Sequence, residues 1–565
     1  MRYLALLILS TAVAAQGGPG GGGGPGGGGG PGGGGGPGGG GPPQPLPPLP
    51  VPAQNQITPQ KALLGKLLFW EEQMSTDNRV ACGTCHTFDA GGADVRRSRN
   101  PGADGINGTP DDIFGSPGVI RSNASNEYVP DPAFQFAPQV TNRSTPSFLT
   151  AAYFTRLFWD GRAEGQFVDP VTGATLIPGG GALESQSLEP ILSPVEMAHD
   201  SRSFTQAVAK LNSVKPMALA TNLPADMANA VAGNTTYPDL FQAAFGSSTI
   251  SAARIALALA TYQRTLVPDQ TPYDAFVAGN PGALTPQQAA GLNVFLGPGR
   301  CAICHTSGLF SDNQFHNLGL RPISEDNGRQ GVTGNPAHAG EFKTPSLRNM
   351  GLRNSFMHNG QLSTIGEVVT FYRLGGGPNQ QNKDPQIIPL NLPPNQANDL
   401  INFLTNGLTD PRVSAGVAPF DRPTLRSQIL TNGGTQSGIP TMGSGNRFPL
   451  LISNVPANLG NTDFKIGLNN GLGGAPSTLV LSTASASTLL SGIRVNVALN
   501  GSELLIPWVL DGAAGVAGDG YGTLKVQVPN LPALSGLSLF SQWFIWDSGA
   551  PFGAAATRAG RIDLF

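Results

Sequence analysis

The sequence predicts a mainly α-helical protein that carries one motif twice, followed by a β-sandwich-like domain. Three observations lead there. Between about 57 and 410, apolar residues recur at helical spacing in separate stretches joined by long loops. Two Cys-x-x-Cys-His strings, at 82–86 and 301–305, fall within that span and use all four cysteines of the chain. From about 412 to 565 there is no cysteine or histidine, and short apolar runs alternate with turn residues.

A length of 565 residues allows about three to four domains. Charged residues make up 12% and the net charge is -3, so no basic surface for nucleic acid is expected. Residues 1–16 read as a signal peptide: Arg2, an apolar run over 4–9, and an Ala12-Val13-Ala14 end. That run is far short of the ~20 apolar residues a membrane span needs. No cysteine follows the cleavage site to carry a lipid. A periplasmic or extracellular location without a membrane span is expected. Residues 17–56 begin as almost pure Gly and Pro and read as a disordered linker. Collagen is set aside because the glycine run 20–24 breaks its three-residue period.

The first folded unit is expected over 57–275. Thr58-Pro59 is a helix start, and Leu63, Leu64, Leu67 and Leu68 supply an apolar face. The stretch 91–138 reads as loop. Its Asp104, Asn107, Asp111 and Asp112 resemble a calcium loop but lack the closing glutamate of that motif, so a solvated turn is preferred. Residues 144–162 are apolar and aromatic, and helical patterns follow at 203–211, 237–245 and 250–266. The second unit, 276–410, has helical patterns at 285–296, 363–373 and 395–404. The β-rich domain, 411–565, has candidate strands at 448–452, 464–468, 478–481, 493–499, 504–509, 524–528 and 543–546. It carries no evident catalytic set and reads as a module for surface or protein attachment, apart from the chemistry of the two units.

Cys-x-x-Cys-His is the attachment pattern of c-type haem. The thiols add across the vinyl groups, and the histidine ligates the iron. Cys82, Cys85 and His86 form the first set; Cys301, Cys304 and His305 form the second. A redox disulfide does not need the adjoining histidine twice. A zinc site shared by the four cysteines would leave both histidines idle. Two covalent haems are expected.

Residues of about 57–410 resemble the bacterial di-haem cytochrome c peroxidases, including the MauG-type members. The matching strings are Ala81-Cys-Gly-Thr-Cys-His86, Leu157-Phe-Trp-Asp-Gly-Arg162, Ser193-Pro-Val-Glu-Met197, Asp312-Asn-Gln-Phe-His-Asn-Leu-Gly319, Lys343-Thr-Pro-Ser-Leu-Arg-Asn349 and Met357-His-Asn-Gly360. The resemblance implies two cytochrome c-like haem domains, a peroxidatic N-terminal haem, an electron-relaying C-terminal haem and a calcium ion between them. It implies that Glu196 and Gln186 stand over the peroxidatic iron, with Glu196 moving the peroxide proton, and that Trp159 lies between the haems. For calcium it points to Ser144 and to backbone carbonyls near Lys343 and Pro345, although many members have asparagine where Ser144 stands.

Two departures bear on function. Many members place a second histidine on the resting peroxidatic iron; here no histidine lies between His86 and His199, and His199 does not match that position. The first haem is expected to be open without reductive activation. The other haem often has a methionine as far ligand, and Tyr372 stands at the matching place, as in the MauG type. A phenolate would lower that haem's potential. Met357 is the less favoured ligand. His316 and His358 are expected near the second haem or the domain interface, and His338 in solvent.

The leading expectation is a secreted peroxidase reducing hydrogen peroxide with electrons from a small redox protein, a cytochrome c or a cupredoxin. The alternatives are a MauG-like enzyme oxidising a protein or organic substrate through high-valent haem, and a non-enzymatic di-haem electron carrier.

Overall fold

A computed structural model describes residues 43–306, 308–429 and 436–565. The expected signal peptide and the linker through residue 42 lie outside the described residues. Helix and sheet are mixed rather than mainly α, with the sheet concentrated at the C-terminal end. Among the described residues no helix is long and apolar enough to cross a membrane.

The first helix begins where Thr58 and Pro59 place it. Thr58 Oγ1 accepts from the Lys61 N–H, and the helix runs Pro59–Phe69. Proline at that position has no N–H to leave unpaired. The helix lies against Ala252–Thr265 so closely that a Cβ on Gly65 would stand 2.0 Å from the Ala258 carbonyl oxygen. Leu64, Leu67 and Leu68 are buried there with Ile255, Ala256 and Leu259. The second unit repeats the device. Pro286–Leu296 crosses Pro394–Asn402 at Gly291, where a Cβ would stand 2.1 Å from the Asp399 carbonyl oxygen. A separate core forms around Leu292, Phe295, Leu400 and Phe403.

Four two-stranded ribbons interrupt the helical units, and two of them lie within the stretch expected to be loop. They pair Ser98–Asn100 with Ile113–Gly115 and Pro117–Ile120 with Pro138–Val140. Strands of three or four residues give too little alternation to be read from sequence. The acidic turn at 104–112 bonds mostly to its own backbone, and Asp112 Oδ1 is buried without a partner among the described residues. Asp104 accepts from the Ile106 N–H at 2.7 Å, and Asp112 accepts from the Gly108 N–H at 2.8 Å and pairs with Arg99 at 3.0 Å.

Chain near two of the expected boundaries packs on the first unit. The end of the linker is packed: Leu46 and Leu49 lie against Tyr153, Phe154 and Leu183, and the Gln44 N–H donates to the Tyr273 hydroxyl at 3.1 Å. The chain just beyond 410 returns to the first unit rather than opening the β domain. Val413, Phe420 and Leu425 are buried in its core, and Asp421 accepts from Lys66 at 2.9 Å.

The C-terminal domain is a sandwich of antiparallel sheets. One orders Leu450–Ile452, Lys465–Leu472 and Ala517–Lys525. The other orders Leu504–Val509, Pro476–Ser482, Ser538–Trp546, Ala559–Asp563 and Gln436–Ser437. Ile466 and Leu468 from the first meet Leu479, Trp543 and Ile545 from the second in one core. The domain is also joined to the first unit by buried polar contacts. Lys210 pairs with Asp463 at 2.7 Å, and the Tyr128 N–H donates to Thr523 Oγ1 at 3.0 Å.

Candidate active site

Each Cys-x-x-Cys-His string forms the floor of a cavity. Cys82–Cys85 is one helical turn, closed at its start by the Ala81 N–H donating to Thr84 Oγ1 at 2.8 Å. Only glycine fits at 83, since a Cβ would stand 2.1 Å from the Trp70 ring. The chain then leaves the helix and turns His86 inward. Its Nδ1 lies 3.1 Å from the Gly92 carbonyl, and its ring meets Phe148 edge-on at 5.5 Å. His305 is held the same way, with Nδ1 2.8 Å from the Phe310 carbonyl. An Nδ1–H donated to a carbonyl leaves Nε2 as the free lone pair. Burial lowers the pKa of both imidazoles, which favours the neutral form that binds a metal. In each cavity two thiols and one oriented imidazole are brought together, the donor set that covalent haem requires.

Over the first cavity stand Gln186 and Glu196. Gln186 is on the helix Ala182–Leu192, which ends at Ser193 just after Pro190. The chain then folds into a turn, with the Glu196 and Met197 N–H groups donating to the Ser193 carbonyl at 3.1 and 3.0 Å. Glu196 is partly buried in the cavity wall. Burial raises its pKa above the ordinary carboxylate value, against the opposing pull of a Ser193 side-chain hydrogen bond and the positive charge of Arg162. Among the described residues lining this cavity, His86 is the only histidine. His199 lies elsewhere, its Nδ1 2.8 Å from the Asp200 carbonyl.

The second cavity is lined by Cys301, Cys304 and His305, and by both candidate far ligands, Tyr372 and Met357. Tyr372 comes from the helix Ile365–Arg373, which Thr364 and Glu367 cap reciprocally. Burial pushes its phenol pKa up. His316 also lines this cavity, held between Asp312 at 2.9 Å and Asp384 at 2.6 Å. Hydrogen bonds to Asp312, to the free Cys304 thiol and to Asp384 raise its pKa to about 11, against burial. His358 is stacked on Phe342 at 3.5 Å between ring centres and is buried, which lowers its pKa to about 3. His338, expected in solvent, is half-buried, its Nδ1 2.9 Å from the Thr333 hydroxyl.

Trp159 and Lys343 line both cavities. The Trp159 indole N–H donates to the Ser144 carbonyl at 2.7 Å. Of the residues expected to hold calcium, Ser144 lines the first cavity, Pro345 the second and Lys343 both. The Ser144 carbonyl is taken by Trp159, and its hydroxyl lies 3.2 Å from that of Ser355. The Lys343 amine stands 3.9 Å over the Phe154 ring.

Sequence reasoning named Lys343 for its carbonyl and missed its side chain. It also missed Arg143, which joins the units by pairing with Asp160 at 2.6 Å and Asp326 at 2.7 Å. An arginine between polar residues gives no sequence signal for that role.

A sequence profile of the family described as di-haem cytochrome c peroxidase matches residues 59–282. The methylamine utilization protein MauG of Methylophilus methylotrophus is 30% identical over 331 residues, 58% of this chain and 76% of that protein. The MauG of Methylorubrum extorquens is 29% identical over 365 residues, 64% of this chain and 82% of that protein. Cytochrome-c peroxidase IdrP1 of Denitromonas iodatirespirans is 27% identical over 406 residues, 65% of this chain and 87% of that protein. The chain belongs to the di-haem cytochrome c peroxidase family that includes MauG, a family of oxidoreductases with two c-type haems.

Proposed function

We propose that the protein reduces hydrogen peroxide to water at the first cavity and draws electrons through the second from a small redox protein, a cytochrome c or a cupredoxin. The observation that carries this reading is the placing of Glu196 and Gln186 in one cavity with Cys82, Cys85 and His86. In this reading two cytochrome c-like domains, 57–275 and 276–410, each hold one haem, and the protein works in the periplasm or outside the cell.

Cys82, Cys85, Cys301 and Cys304 would anchor the haems, and His86 and His305 would ligate the irons. When bound, the haems supply redox-active iron and a store for electrons. The chain's own part is proton handling. Peroxide reduction consumes two electrons and two protons and releases two waters. Glu196 accepts the proton from the nearer peroxide oxygen and returns it to the farther one as the O–O bond breaks. A carboxylate whose pKa is raised by burial takes up a proton more readily than an ordinary one, which suits the first half of that transfer. The Gln186 amide orients the peroxide by hydrogen bonding. Trp159, in both cavity walls, lies on the electron path.

A second reading has a specific observation behind it. Tyr372 in the second cavity and a first cavity with no histidine besides His86 fit a MauG-like enzyme that oxidises a protein or organic substrate. Steady-state peroxide consumption separates the two. The peroxidase reading expects turnover sustained by a reduced small cytochrome c or cupredoxin. Haem oxidation by peroxide without sustained donor turnover would favour the second reading.

A further inference from the structure

The turn that carries Glu196 is not free-standing. The ribbon of Pro117–Ile120 and Pro138–Val140 lies directly against it: a Cβ on Gly118 would stand 2.0 Å from the Val195 carbonyl oxygen. Gln139 donates to the Pro194 carbonyl at 3.0 Å, and the Asp200 N–H donates to the Ser122 carbonyl at 2.8 Å. Ribbon and turn are therefore bonded on both sides of Glu196.

The loop that follows Pro117–Ile120 in this ribbon is held by the C-terminal domain. Lys465 is 1% exposed, and its ammonium donates to Ser122 Oγ and Asn126 Oδ1, both at 2.8 Å, and to the Asn126 carbonyl at 3.2 Å. It also stands 4.0 Å over the Tyr128 ring. Tyr128 and Ile120 share a small core with Ile452 of the C-terminal domain. The segment 118–128 thus touches both parts: Gly118 and the Ser122 carbonyl meet the chain around Glu196, and the Ser122 hydroxyl, Asn126 and Tyr128 meet Lys465.

We propose that the C-terminal β domain is a working part of the peroxide site, in which Lys465 fixes the 117–140 ribbon and the ribbon sets the position of Glu196. Lys465 is a positioning residue and touches no reactant. The inference rests on the reading of Glu196 as the proton-transfer group. It replaces the expectation of a separate attachment module.

The test compares holoenzyme variants Lys465→Met, Lys465→Arg and Leu479→Ala, well below their melting temperatures. Leu479 is buried in the core of the β domain, so its loss weakens the domain without touching the ribbon. Lys465→Met is expected to lower kcat for peroxide about ten- to hundredfold, as small misplacements of a catalytic group do, with little change in KM. Amide hydrogen exchange over 116–122 and 193–200 should quicken, and Lys465→Arg should recover part of both losses. Leu479→Ala should leave kcat and those amides unchanged. Should Lys465→Met fail to fold, Thr523→Val, which removes the Tyr128 contact, takes its place. Unchanged kcat and exchange in the ribbon variant, or equal losses in Leu479→Ala, overturns the proposal. A fully active Glu196→Gln enzyme would show instead that the reading beneath it is wrong.

Discussion

The backbone N–H of Lys343 donates to the Trp159 carbonyl at 2.8 Å, so the two residues that line both cavities are also bonded to each other. This bond and the indole bond to Ser144 hold the ring of Trp159 where it lines both cavities. Trp159→Phe keeps an aromatic ring but leaves the buried Ser144 carbonyl without its donor. The expected cost is about 1–3 kcal/mol of stability. Both haems should still attach, and donor-supported turnover should fall while the first haem still reacts with peroxide. Stopped-flow spectra of the two haems read the two effects apart.

Lys343 makes a different prediction, because its amine is buried with no hydrogen-bond or ion-pair partner among the described residues. Burial lowers its pKa to about 7, with Asp160 opposing. Between about pH 7 and the unfolded value near 10.4, the unfolded chain binds the proton and the folded one does not. In that window the lysine contributes a rise of stability with pH. Lys343→Met should lose that rise and be no less stable at neutral pH, since an unpaired buried charge costs more than a thioether. Below pH 7 it should lower the midpoint potentials of both haems, because a positive charge shared by both walls is gone. Thermal melts across pH and spectroelectrochemical titration check these outcomes.

Glu196→Gln removes the proposed proton acceptor and keeps the shape of the cavity. A loss of about 10²- to 10⁴-fold in kcat/KM for peroxide is expected. The acid limb of the wild-type pH profile should lie above the ordinary carboxylate range, because burial raises this pKa. Activity is lost as pH falls through it and the base becomes protonated. In Glu196→Gln that limb should vanish.

Much of this site was legible in the sequence, for physical reasons that differ by residue. The cysteines and histidines of the two strings declare their chemistry at any position in a fold. Thr58 and Pro59 marked a helix start because capping is local. Glu196 alone looks like an exposed carboxylate after a helix, and only its neighbours Ser193, Pro194 and Met197 gave it a role. Less could be read where the cause is tertiary. Leu46 and Leu49 sit in a Pro-rich stretch that has no periodicity, yet they pack on Tyr153 and Phe154. Val413 and Phe420 look like the start of a new domain, yet they finish the first core. Lys465 reads as one charge in a strand, and its burial against Ser122 and Asn126 depends on how two remote segments dock.

Tyr372→Phe tests the far ligand of the second haem. If the phenol ligates, the variant should change the spectrum of that haem and raise its potential. The first haem should be unaffected, since Tyr372 lines only the second cavity. An unchanged spectrum would remove tyrosine as ligand and leave Met357, in the same cavity, as the candidate.

The most direct test of the peroxidase reading is to mix resting, fully oxidised holoenzyme with stoichiometric peroxide and follow the haem spectra together with peroxide loss. A first cavity in which His86 is the only histidine among the described residues predicts an immediate response with no prior reduction. A response only after one haem has been reduced would contradict the open site, and no response in either state would contradict the peroxidase reading itself.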